Sequence, residues 1–268
     1  MPERRSGEQQ NEARPPCYAP RMAVLVEVCC GSADDAREAE AGGADRVELN
    51  SSLFFGGLTP SLGAVCVAKA ELRIPVMVMI RPRGGGFCYT ETELSVMERD
   101  IELAVGHGAD GIVLGVLTAD GALDERANRR LLNRAPGLPA VFHRAFDVMA
   151  DPDRGLEQLI DLGFTRVLTT GRRASIEDGA DCVKAFLEKA RGRIEILPGG
   201  MTLRNARRLI SHIGCTQIHV ASFARRTDTS ARGNPEVYFG SALYPPEDSY
   251  ELADRAFVAG VRAQASGT

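Results

Sequence analysis

Residues 42–49 read GGADRVEL: a glycine pair, a two-residue link, then a short run in which apolar and charged residues alternate. Glycines of this kind stop a helix, and the alternating run that follows reads as a half-buried strand. The same pattern returns as GHGADGIVL at residues 106–114 and as LGFTRVLT at residues 162–169. Working outward from these three places, eight short apolar strands emerge: Ala23–Cys29, Arg46–Asn50, Pro75–Arg81, Gly111–Val116, Pro139–Arg144, Arg166–Thr170, Arg193–Pro198 and Gln217–Ser222. Amphipathic segments separate them. Ser32 precedes DDAREAEA, Thr90 precedes ETELSVMERDIELAVG, and Asp151 precedes a proline, each a helix-start signature.

Eight strand–helix units at roughly thirty-residue spacing predict an α/β protein, an eight-stranded parallel β/α (TIM) barrel. The length of 268 residues suits one such unit. A doubly wound sheet is the competing architecture. It would want a glycine-rich phosphate turn after the first strand, and the segment there, CCGSADD (residues 29–35), has one glycine and two aspartates instead. Residues 1–21, polar and rich in Arg, Pro and Glu, are expected to form a disordered arm, with 22–268 as a single barrel domain. Phe223–Asp248 breaks the rhythm and reads as a long loop, followed by a closing helix near Glu247–Arg262.

Bulk properties narrow the function. A net charge of −4 argues against nucleic acid or an anionic membrane as partner. No apolar run reaches the ~18 residues of a membrane span. Seven cysteines without a CxxC or paired spacing point to a reducing, cytoplasmic setting.

Strand parity then selects a site. If the β-branched residues face the helices, Glu27, Cys29, Glu48, Asn50, Arg81, His143 and His219 face the lumen near the C-terminal ends of five strands, where barrels of this type do their chemistry. Two carboxylates and two imidazoles (Glu27, Glu48, His143, His219) suit general acid–base work, and Arg81 with Arg83 suits an anion. Asp147 is placed to orient His143 or Arg144, or to cap the helix behind Asp151. Gly199 and Gly200, in LPGG before a helix, are a phosphate-loop candidate or an ordinary tight turn. Arg46 and Glu195 lie lower in the barrel and read as a paired structural layer.

The segments EVCCGS, GGADRVELN, GGLTPSLG, VMIRPRGGGFCY, FHRAFD, RVLTTG and LPGG, in this order from about Leu25 to His219, resemble the CutC family of copper homeostasis proteins. The resemblance implies a β/α barrel, a cytosolic or nucleocytoplasmic location, a dimer or tetramer, and Cu(I) binding through cysteines. Cys29 matches the family cysteine at the end of the first strand. The second cysteine of that proposal falls at Asn50 here, and the residue matching Gly86 is commonly acidic in relatives. The alternative function is an enzyme of lyase or isomerase type acting on a small polar or anionic metabolite.

Overall fold

A computed structural model of the chain describes residues 24–240, 247 and 249–267; the arm expected over residues 1–21 lies outside them. All eight strands are present and parallel: β1 (Leu25–Cys30), β2 (Arg46–Leu49), β3 (Val76–Met79), β4 (Gly111–Leu114), β5 (Ala140–Phe142), β6 (Arg166–Thr169), β7 (Glu195–Pro198) and β8 (Gln217–Val220). They pair in chain order from β1 to β7, and β8 pairs with β1. The ring closes at one bridge, Gly199 with His219, reinforced by Gly200 N donating to His219 O at 3.1 Å. The protein is therefore a β/α barrel.

Helices follow the start signals. In α1 (Ala33–Ala41) Ser32 Oγ accepts from Asp35 N at 3.0 Å. In α3 (Glu91–Gly106) Thr90 and Glu93 form a reciprocal capping box, and in α5 (Pro152–Leu162) Asp151 caps a helix with proline in its first turn. The remaining outer helices are α2 (Leu62–Glu71), α4 (Glu125–Leu132), α6 (Ile176–Ala190) and α7 (Ala206–Ile213).

Strand parity divides the buried residues into two populations. Val26, Val28, Cys30, Val47, Leu49, Val76 and Val78 face outward and pack against the helices. Met77, Met79, Val113, Val141, Leu168 and Leu197 form a separate apolar cluster inside the barrel. All six come from β3 to β7. The interior contributed by β8, β1 and β2 is instead ionic, with Glu27, Arg46, Glu48, Gln217 and His219 all buried. The β3–β7 side of the lumen is thus filled mainly by dispersion contacts and the β8–β1–β2 side by paired charges, which at the strand starts extend to Arg166 of β6 and Glu195 of β7.

Behind the strands, fully buried Asn128 of α4 fastens the end of β4. Its Oδ1 accepts from Val116 N at 3.2 Å, and its Nδ2 donates to Val116 O and Asp124 O, both at 2.8 Å. Asn128→Ala leaves Val116 N buried without a partner, while Val116 O keeps Asp124 N and Asp124 O keeps the residue-128 amide, and is expected to cost about 1–3 kcal/mol in urea unfolding; a loss below a few tenths would show that Val116 N is satisfied otherwise.

Residues 223–253 differ from the expected loop. Phe223–Thr227 (β9) and Ser249–Ala253 (β10) pair as an antiparallel ribbon, joined to the barrel by Ala253 N donating to Asp35 Oδ1 at 2.7 Å. The closing helix α8 consequently starts later than expected, at Arg255, where Asp254 accepts from Ala256 N and Phe257 N, and runs to Ser266.

Candidate functional site

Glu27 is the hub of the ionic half. It pairs with Arg46, and its Oε1 contacts His219 Nδ1 at 2.8 Å. Arg46 reaches on to Gln217 Oε1 at 3.0 Å, and Gln217 Nε2 to Glu195 Oε2 at 3.1 Å, where Arg166 also pairs. Arg46 and Glu195, expected as a paired lower layer, do not pair with each other: Arg46 pairs with Glu27 and Glu195 with Arg166, Gln217 joins the two pairs, and Glu27 links them to the site above. Burial alone would raise the Glu27 pKa. The hydrogen bond from His219 and the charges of Arg46, His219 and Arg166 outweigh that and hold it at about 2. Burial likewise favours neutral His219, but Glu48, Cys29 and Glu27 around it push its pKa well above 6.5. His219 and Glu27 form a buried ion pair.

Above this pair lies a cavity of about 470 Å³ at the C-terminal end of the strands. Cys29, Glu48, Arg81, His143, Arg144, Asp147 and His219 line it, which brings seven of the eleven sequence-selected residues to one place. Cys29, Glu48 and His219 each offer a ligand atom within 4.8 Å of the others. Asn50 braces this group: its Nδ2 donates to Glu48 Oε2 at 3.0 Å and lies 3.6 Å from Cys29 Sγ. Burial raises Glu48, with the Glu27 charge adding to it, and burial pushes the Cys29 thiol up to about 11.

His143 caps a short 3-10 turn, Arg144–Val148. Ala145 N donates to its Nδ1 at 3.2 Å, so the neutral ring carries its proton on Nε2, which has no partner. Burial first, then Arg81, pulls its pKa down to about 3. Gly115 lies flat against the ring; a Cβ there would come 2.6 Å from His143 Cε1. The tilted Phe87 ring sits 4.8 Å from the imidazole. The side chain is held on both faces.

Arg81 is an anchor for loops. It donates to Phe55 O (2.7 Å), Gly57 O (3.0 Å) and Gly85 O (2.7 Å) and lies over the Phe87 ring. Its Nε has no partner. Asp147 orients Arg144, not His143: Arg144 Nε donates to it at 2.8 Å, while Thr169 Oγ1, Thr170 N and Arg172 N hold the carboxylate from the other side.

Four selected residues stand apart from the cavity lining: Glu27, which lies beneath it, and Arg83, Gly199 and Gly200. Arg83 pairs with Glu93 and donates to Cys88 O at 2.8 Å. Gly199 and Gly200 complete the ring beside His219, and α7 begins only at Ala206. Asn50, Phe87, Thr169 and Thr170 are the contributors that parity and motif did not select as site residues. Asn50 was visible as a lumen-facing residue, but a threonine's grip on Asp147 has no sequence signal.

Residues 24–224 match the CutC family. The chain belongs to the CutC family. A CutC family protein of Treponema denticola is 49% identical over 231 residues, covering 86% of this chain and 94% of that protein. The human protein named copper homeostasis protein cutC homolog is 45% identical over 231 residues, covering 86% and 85% respectively. A crystal structure of CutC from Streptococcus agalactiae superposes with a TM-score of 0.71 at 40% identity, covering 74% of this chain and 98% of that one. The matched region of this CutC chain contains all eight barrel strands and every residue of the cavity named above. Among the described residues no helix is long and apolar enough to cross a membrane.

Proposed function

We propose that this CutC protein binds one Cu(I) ion in the cytosol, through Cys29 Sγ and His219 Nε2. The observation that carries the reading is the convergence of Cys29, Glu48 and His219 within 4.8 Å at the cavity floor. A thiolate and an imidazole suit a soft monovalent ion; the Glu48 carboxylate is a harder donor and a weaker match. His219 Nδ1 rests on Glu27, the carboxylate–histidine arrangement that orients metal-binding imidazoles and leaves Nε2 for the ion. Asn50 supplies no soft donor. Its amide lies against the Cys29 sulfur, so it positions the thiol. Both donors are protonated in the metal-free protein, and uptake of the ion displaces those protons. The described cysteines are all free, in keeping with a reducing compartment.

Anaerobic titration with Cu(I) against a chromophoric chelator is expected to give one equivalent bound. Cys29→Ser should weaken it by more than about a hundredfold, because it removes the one soft donor. Cys88→Ser, at an exposed thiol outside the cavity lining, should leave it unchanged. Retention of full affinity by Cys29→Ser would refute the assignment.

A further inference from the structure

The cavity contains more polar capacity than a metal ion at its floor would use. Four residues that line it each carry a buried polar atom with no protein partner: Glu48 Oε1, Asn50 Oδ1, Arg81 Nε and His143 Nε2. Such orphans are uncommon and each costs free energy unless something outside the chain satisfies it. Here all four belong to residues that line one cavity, contributed by β2 and its next residue and by the segments that follow β3 and β5.

Their chemistry defines a complement. His143 Nε2–H and Arg81 Nε–H are donors, so they call for an acceptor such as a carbonyl oxygen. Glu48 Oε1 and Asn50 Oδ1, from β2 and the residue after it, are acceptors, so they call for a hydroxyl. An anion offers acceptors only and would leave Glu48 Oε1 facing more negative charge. Arg144 is already paired with Asp147, and the two terminal nitrogens of Arg81 are taken by three backbone carbonyls, which leaves a single N–H, Nε, rather than a bidentate fork for an anion. Met79, Leu168 and Phe87 provide apolar wall between the polar points. We infer that the cavity is a binding site for a small, uncharged hydroxy-carbonyl compound, its carbonyl oxygen received by His143 and Arg81 and an adjacent hydroxyl by Glu48. The site needs no metal, and it departs from the anionic ligand that Arg81 suggested when read as a lumen cation alone.

The test uses the full chain freed of metal with a chelator, so that its outcome is independent of copper binding. Calorimetry and saturation-transfer NMR compare three matched pairs of probes: dihydroxyacetone and erythrulose, their polyols glycerol and erythritol, and the carboxylates glycerate and erythronate. The hydroxy-ketones are expected to bind at least about tenfold more tightly than either comparison set, the usual discrimination of a site whose buried donors would otherwise go unpaired. His143→Phe keeps an aromatic ring between Gly115 and Phe87 and removes the donor; it should erase the preference for ketone over polyol. Glu48→Gln, which alters the acceptor, should weaken the ketones and polyols together. Should His143→Phe fail to fold, the wild-type ranking alone decides. Equal binding of all three sets, tighter binding of the carboxylates, or no binding of either ketone overturns the inference.

Discussion

Glu27→Gln is expected to be the most damaging conservative change in the barrel, lowering stability by about 3–5 kcal/mol in urea unfolding of the metal-free protein. The substitution preserves size. It removes the negative charge between Arg46 and His219, both buried, and leaves Arg46 without an ion-pair partner and His219 with only the more distant Glu48 at 3.9 Å. With domains stable by only ~5–15 kcal/mol, such a loss is a large share of the total. The same group sets an acid limb. Its folded pKa of about 2 lies below the ordinary 4.5, so its contribution is complete above pH 4.5 and drains away as the pH falls towards 2. That limb amounts to about 3 kcal/mol between the two pKa values, and it should vanish in Glu27→Gln. A variant within about 1 kcal/mol of wild type, with an unchanged acid limb, would mean that solvent already neutralises the cluster.

Gly179→Ala is expected to be the most damaging addition of a single methyl group. Gly179 lies in α6 where that helix crosses the exit of β6, and an added Cβ would fall far inside van der Waals contact with Thr170 O. The obstacle is backbone, which cannot rotate away as a side chain can. Gly171, with φ +72°, continues the same backbone, its Cα 3.1 Å from the added Cβ, and leaves no room for a compensating shift. The expected cost is about 3 kcal/mol or more, a Tm decrease of roughly 6–12 °C for a domain of this size. Displacement of Thr170 would also loosen Asp147, and with it Arg144 at the cavity wall. Gly106→Ala is the control. That glycine ends α3 in open space, so its replacement should be neutral or slightly stabilising. A similar Tm for both variants would mean the β6–α6 crossing is looser than its geometry.

These two sites differ in how far they could be read from the amino-acid order. Glu27 was legible: parity in VLVEV turns it inward once the valines face the helices, and the same rule places Met77 and Met79 in the opposite, apolar half of the lumen. The glycine contact was not legible, because it joins two backbones and no side chain marks it. The same limit hid the role of Arg81, whose partners are carbonyls of Phe55, Gly57 and Gly85. Nor could the orphaned Nε2 of His143 be anticipated, since it depends on Ala145 N claiming the other ring nitrogen. The β9–β10 ribbon escaped for another reason. Most of FARRT and SYELA is exposed or half-exposed, so no alternation of apolar residues announces a strand. Family membership followed from motifs carried by the loops between strands, where chemistry is concentrated and packing constrains least.

The division of the lumen also orders events during synthesis. Glu27 and Arg46 are made early, but their partners His219 and Gln217 lie 192 and 171 residues further along the chain. At translation speeds of ~5–20 residues per second, the early charges wait on the order of ten seconds or more for those partners. The apolar half, drawn from β3 to β7, is translated within that interval. The nascent barrel therefore passes through a stage with a collapsed hydrophobic side and a hydrated, open ionic side. Arrival of β8 joins the first strand to the last and dehydrates the charges in one step, so the two proposed copper donors, Cys29 from the beginning of the chain and His219 from near its end, meet only when the ring is whole.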